Sequence, residues 1–202
     1  WKKEIECMQP ADMKKLQSDY LKKLVPYIYN NCPVYKKKID DAAVMPDSIK
    51  SIDDIKRLPF TTKIDMRDNY PYGLFSAKDK DVVEIHISSG TTGNPTLVGY
   101  TRYDVSLWSD VMARTICCAG GEPGDTIQIA YGYGLFTGGL GFHYGALEMG
   151  MKIIPTSSGQ TARQLKIMQD FAPKVVACTP SYVLYMAEEA KAMGIDPAKG
   201  NW

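Results

Sequence analysis

The sequence predicts an α/β fold, with N-terminal helices followed by a mostly parallel sheet flanked by helices. Two patterns carry this. Apolar residues recur at helical intervals from Pro10 to about Lys38 (Met13, Leu16, Tyr20, Leu21, Leu24, Tyr27, Ile28), with lysines between them that would face water. From Val82 onward, short apolar runs alternate with longer helical patterns, the arrangement of parallel strands joined by helical crossovers. The composition allows such a fold, because 45% of the 202 residues are hydrophobic and 23% charged, enough apolar material for a sizeable core.

In chain order, the first stretch reads as one or two amphipathic helices that Pro26 and Pro33 interrupt or end. Asp40 to Tyr72 is turn-rich, with Ser51-Ile52-Asp53-Asp54 as a helix start and Leu58-Pro59-Phe60-Thr61-Thr62-Lys63 as a second cap before Ile64. Val82 to Ile87 reads as a strand, Asp104 to Ala119 as a helix and Thr126 to Ala130 as a strand. A glycine-rich segment then leads into a helix. The strand Lys152 to Pro155, the helix Thr161 to Phe171, the strand Lys174 to Cys178 and the helix Ser181 to Met193 complete the series. The expected division is a helical and irregular region over residues 1–78 and an α/β region over residues 79–202. Ligands on such sheets sit beyond the carboxyl ends of the strands.

Charge and cysteine usage exclude several classes. Lys+Arg total 24 against Asp+Glu 23, so a net charge of +1 supplies no general pull toward nucleic acid or an anionic membrane. Five cysteines without CxxC spacing suit neither a disulfide framework nor a zinc finger, and a reduced cytoplasm is the expected location. No apolar run approaches the roughly 20 residues that span a bilayer, and Trp1-Lys2-Lys3-Glu4-Ile5-Glu6 is not a signal peptide. The chain starts without Met and stops at Trp202 just after a helical pattern, which reads as a piece of something longer.

The most informative stretch is Ile85-His86-Ile87-Ser88-Ser89-Gly90-Thr91-Thr92-Gly93-Asn94-Pro95-Thr96, a β-run opening into hydroxyl-bearing residues and glycines. Glycines let main-chain N–H groups turn toward a ligand, and Ser and Thr hydroxyls donate to phosphate oxygens. A hairpin turn is the alternative, since Gly93-Asn94-Pro95 is good turn chemistry by itself. A Walker A loop is excluded, because no second glycine followed by lysine stands at the required distance from Gly90. Further on, six glycines between Tyr131 and Gly145 are interleaved with Tyr131, Tyr133, Phe136, Phe142 and Tyr144. Such a surface suits a flat aryl ligand; from composition alone, glycines that let a helix pack tightly on the sheet, with the aromatic rings filling the core, are the stronger reading. His86 and His143 read as hydrogen-bonded packing residues, and Cys117-Cys118 as small core residues.

The loop resembles the [ST]-[ST]-G-[ST]-[ST]-G-x-P-[KT] signature of the adenylate-forming enzymes. Pro59-Phe60-Thr61-Thr62-Lys63, the run from Arg67 to Phe75, the run from Ala130 to Gly141 and Thr179-Pro180-Ser181-Tyr182 narrow the resemblance to the phenylacetate–CoA ligase family over nearly the whole chain. The resemblance implies part of a large N-terminal domain and an AMP-forming ligase that converts an aryl acid, phenylacetate or similar, with ATP to an acyl-adenylate and then to a coenzyme A thioester. It implies phosphate contacts at Ser88, Ser89, Gly90, Thr91, Thr92, Gly93 and Thr96, and an acid pocket at Tyr131, Tyr133, Phe136, Gly138, Gly139 and Phe142. Mg²⁺ is the implied ion. The acidic motif that helps hold it, the ribose aspartate and the mobile lysine lie beyond Trp202 in relatives, so no catalytic residue and no metal ligand is assigned here.

Two positions depart from that family. Asn94 stands where many relatives carry lysine, which implies weaker contact with the outer phosphates, and Phe142 stands where a small residue is usual. The expected partner is a small aromatic or short-chain carboxylic acid, without nucleic acid or membrane; a homodimer is compatible with this. The rival expectations are a non-catalytic nucleotide- or acyl-binding module and an adenylating enzyme that loads a carrier protein.

Overall fold

The protein is described by a computed structural model that covers residues 1–88, 95–135 and 137–198. The chain divides into two compact units, Lys2–Arg102 and the part from Tyr103 on, which includes Trp1.

The first unit opens with α1 (Lys3–Glu6), α2 (Pro10–Asn31) and α3 (Pro33–Asp41). Short 3-10 turns follow at Pro46–Ser48 and Ile52–Arg57, then α4 (Lys63–Asp68) and a further turn at Asp79–Asp81. Of the apolar stripe read from the sequence, Leu21 enters the core, where it is buried with Val25, Ile39, Val44 and Ile49 and with Tyr29 and Tyr35 packed against them, while Tyr20, Leu24 and Tyr27 are exposed. Pro26 departs from expectation, because it lies inside α2 instead of ending it. An interior proline costs about 3 kcal/mol. Burial of Leu21 and Val25 ahead of it, with Tyr29 after it packed against the same core, outweighs this, since each fully buried Leu or Val contributes about 1.5–3 kcal/mol. Pro33 does separate the helices, and it opens α3 at a position where its missing N–H has no intrahelical partner to lose.

Both expected caps form. Asp54 accepts from the main-chain N–H of Ser51, and Asp65 accepts from the N–H (2.6 Å) and hydroxyl (2.8 Å) of Thr62 at the start of α4. Lys38 bonds the other oxygen of Asp65 at 2.8 Å, and this contact, with the two from Thr62, holds the Asp65 carboxyl down at about 2.

The unit ends in a hairpin of β1 (Val82–Ile87) and β2 (Leu97–Thr101), antiparallel, with Ile87 opposite Leu97. The sequence places β1 in the alternating series; instead it pairs with the next run of the chain. Residues 88–96 are too few for a crossover, which needs about a dozen or more, so the hairpin is the pairing available.

The second unit contains α5 (Arg102–Cys118), β3 (Thr126–Ile129), α6 (Thr137–Glu148), β4 (Lys152–Ile154), α7 (Thr161–Phe171), β5 (Val175–Ala177) and α8 (Pro180–Ala192). Its sheet is wholly parallel in the order β4-β3-β5. Alternation along the strands divides the core. Ile127, Ile129 and Ala177 pack with Ala113 and Ile116 of α5 and Ala146 of α6. Val176 and Cys178 lie against Leu165 and Met168 of α7 and Met186 and Ala190 of α8. Helices therefore cover both faces, and Ile127, Gln128 and Ile129 on the central strand are each fully buried. Among the described residues no helix is long and apolar enough to cross a membrane.

Candidate functional site

The candidate phosphate loop hangs from the hairpin. At its root, Ser88 N–H donates to the Thr96 carbonyl (2.9 Å), while Thr96 donates its own N–H (3.0 Å) and hydroxyl (2.8 Å) to Ser88 Oγ. Ser88 and Thr96 thus close the base of the segment against each other. Ser88 Oγ accepts twice and keeps its own O–H to donate. Ser89, Gly90, Thr91, Thr92 and Gly93 lie outside the described residues. Turn chemistry and ligand contact are compatible here, since the segment joins two antiparallel strands. Just below, buried His86 meets the Glu84 carboxylate at 2.7 Å and stands edge-on to Tyr100. That is the packing role expected of it.

In the second unit, β3 ends at Ile129, and the chain runs through Ala130 to Gly134 before α6 begins. Tyr131 and Phe142 stack nearly parallel, 5.5 Å between ring centroids and 8° between planes, and both lie against the buried core. Tyr133 hydrogen-bonds His143 Nδ1 at 3.3 Å with the rings edge to face. Burial pushes the Tyr133 phenol up to about 12, so it keeps its proton at neutral pH. The structure places Tyr131, Tyr133 and Phe142 against the same buried core cluster, an arrangement that both the pocket and the packing readings accommodate. Phe136 lies outside the described residues.

The glycines of α6 have a second explanation. A Cβ on Gly141 would stand 2.9 Å from the Trp108 ring, and one on Gly145 would stand 2.6 Å from Met112 Cβ and 2.7 Å from its carbonyl carbon. These glycines let α6 lie close against α5; the packing alternative foresaw tight packing but placed it on the sheet. Gly139 is buried with its open side against the Gly132 carbonyl, 2.7 Å from where a Cβ would be, and Gly138 is half-buried on the first turn of α6.

Sequence reasoning missed a buried polar pair. Gln128 on β3 donates Nε2 to Gln164 Oε1 at 2.6 Å, and Gln164 donates Nε2 to the carbonyls of Ser157 (2.8 Å) and Gly159 (3.2 Å). Its signal was a glutamine inside the apolar run Ile127-Gln128-Ile129-Ala130.

No family model matches the chain. Among solved structures, 2-hydroxyisobutyryl-CoA ligase in complex with 2-HIB-AMP and CoA superposes with a TM-score of 0.89 at 28% identity, over 94% of this chain and 42% of that one. The fold is that of the N-terminal part of an adenylate-forming CoA ligase. Among curated proteins, the phenylacetate-coenzyme A ligase of Aromatoleum evansii is 49% identical over 193 residues, and that of Thermus thermophilus 46% over 194, each covering 96% of this chain. The enzyme of the same name from Escherichia coli is 48% identical over 185 residues. By sequence, the chain is a homologue of the N-terminal portion of the phenylacetate–coenzyme A ligases. It spans 44% of the length of the Aromatoleum and Thermus relatives.

Proposed function

We propose that this chain is the phosphate- and acid-binding portion of an AMP-forming ligase. The enzyme would join an aryl acid, phenylacetate or similar, to AMP and then to coenzyme A. The observation that carries this is the 49% identity to a phenylacetate-coenzyme A ligase over 96% of the chain. In the first step a carboxylate oxygen of the acid bonds to the α-phosphorus of ATP, and the bond from that phosphorus to pyrophosphate breaks. In the second, the coenzyme A sulfur bonds to the acyl carbon, AMP leaves and the thiol proton is released.

Both steps depend on positioning and on neutralising phosphate charge, work that main-chain N–H groups and hydroxyls perform without a covalent enzyme intermediate. Residues 88–93, with Thr96 at the root, take the leaving pyrophosphate; the free O–H of Ser88 points to this use. The aryl ring lies among Tyr131, Tyr133, Phe136, Gly138, Gly139 and Phe142. Among the described residues no three His, Cys, Asp or Glu side chains gather as ligands of an ion.

Thermal unfolding of the chain with and without ATP tests the proposal. A ligand at 100 times its Kd stabilises the folded state by about 2.7 kcal/mol, an easily read rise in melting temperature. The rise should disappear in Thr91→Ala/Thr92→Ala. If ATP leaves the unsubstituted chain unmoved, or the double variant responds like it, the loop does not hold the phosphates.

A further inference from the structure

The loop that follows β4 is held unusually firmly. Thr156 Oγ1 and Ser157 N–H both donate to the Ile129 carbonyl at the end of β3, at 3.0 and 3.1 Å. Ser157 and Gln160 carry φ angles of 62° and 51°, in the left-handed region that residues other than glycine seldom occupy. Such conformations persist only where the surroundings determine them.

Here the determinant is the glutamine pair. Gln164 is 2% exposed and grips the carbonyls of Ser157 and Gly159, while fully buried Gln128 holds Gln164 through both its side-chain Oε1 and, at 3.3 Å, its main-chain carbonyl. Tyr182 adds a hydroxyl to the Gly159 carbonyl at 3.3 Å. The loop faces the candidate acid-binding segment directly, since Ser158 Oγ lies 3.5 Å from where a Cβ on Gly132 would stand.

Stability does not account for this pair. Gln128 Oε1 is buried without a hydrogen-bond partner among the described residues, which disfavours folding, whereas two apolar side chains of the same shape would be close to neutral. What amides supply and apolar groups cannot is direction. The loop and the segment after β3 leave the sheet toward α7 on one face and α6 on the other, the kind of divergence at which open α/β sheets take ligands.

We infer that Gln128 and Gln164 are positioning residues, a buried amide clamp that sets the loop Thr156–Gly159 as a wall of the acid-binding site beside Gly132. The inference rests on the proposed ligase function. Gln164→Met keeps the volume and removes the grip on the loop; Gln128→Met removes the support behind it. Tyr182→Phe keeps the packed ring and removes only the hydroxyl, with its contacts to Gly159 and Thr161, so it remains informative if the core variants do not fold.

Two measurements on the chain test the clamp: hydrogen–deuterium exchange across Ser157–Gln160, and affinity for a sulfamoyl analogue of phenylacetyl-adenylate alongside ATP. Exchange in the loop should quicken by roughly tenfold in the glutamine variants and by less in Tyr182→Phe. Analogue affinity should fall by roughly tenfold in the glutamine variants, with ATP affinity retained. A merely structural pair would instead lower both affinities together, as the folded fraction falls, and that result overturns the inference. So does unchanged loop exchange in every variant that folds, or quickened exchange with analogue affinity intact. Failure of the unsubstituted chain to bind the analogue overturns the ligase function instead, and loop exchange then decides the clamp by itself.

Discussion

Phe142 shows how far one side chain can be read. In the sequence it is a large residue where a small one is usual, a reason to expect a narrowed pocket if the ring points inward. The structure gives that ring a partner, Tyr131, and a place against the core. Pocket wall and packing residue are therefore both open to it, and Phe142→Ala separates them. Loss of a half-buried phenyl and its stacking should cost about 2 kcal/mol in a denaturant titration, below the 3–5 of a fully buried Phe→Ala change. If the ring also bounds the pocket, pyrophosphate release by an enzyme carrying the change should shift toward bulkier acids; lowered stability with unchanged preference leaves Phe142 a packing residue. The stack itself was not legible, because Tyr131 and Phe142 meet only once the chain after β3 has turned back into α6. Gln128 was visible as a polar residue in an apolar strand, but nothing in the sequence indicates a partner 36 residues on.

Elements were legible where local chemistry decides them. The Thr62–Asp65 cap and the start of α3 at Pro33 follow from a few adjacent residues, and the helices and parallel strands after Tyr103 fall close to their expected bounds. The sequence misled where long-range packing wins: Pro26 stays inside α2 because buried Leu21 and Val25 before it and Tyr29 after it pack on one core, and β1 takes β2 as its partner because the intervening segment is short. The glycines of α6 lie between these cases, legible as a pattern and ambiguous in cause. Gly145→Ala distinguishes the causes. Alanine is favoured in a helix by about 1 kcal/mol, yet its Cβ would stand 2.7 Å from Met112 main chain, which cannot swing aside. Overpacking of this kind costs about 1–3 kcal/mol, so a net loss of stability is expected in chemical denaturation. A gain would mean that α5 and α6 have room to separate and that the glycine serves something other than their contact.

At the scale of the molecule, each unit carries a buried core of its own, one built around Leu21, Val25 and Ile39 and the other around the parallel sheet. The candidate contacts are divided between them, phosphate residues on the hairpin of the first and acid-binding residues after β3 in the second. Binding and turnover should therefore come apart. The chain spans 44% of the length of the Aromatoleum and Thermus relatives, and by the family resemblance the acidic motif, the ribose aspartate and the mobile lysine of such relatives fall outside the portion matched. On the proposed function, the loop would hold the phosphates while thioester formation would also need the ribose-fixing groups and the lysine that the family resemblance implies. Incubated with ATP, Mg²⁺, phenylacetate and coenzyme A, the 202-residue chain should gain thermal stability from the nucleotide and release no phenylacetyl-CoA detectable by mass spectrometry. Thioester made at a measurable rate would place the chemistry within these residues, and the search for its catalytic groups would then begin with Tyr133 and His143 at the end of the central strand.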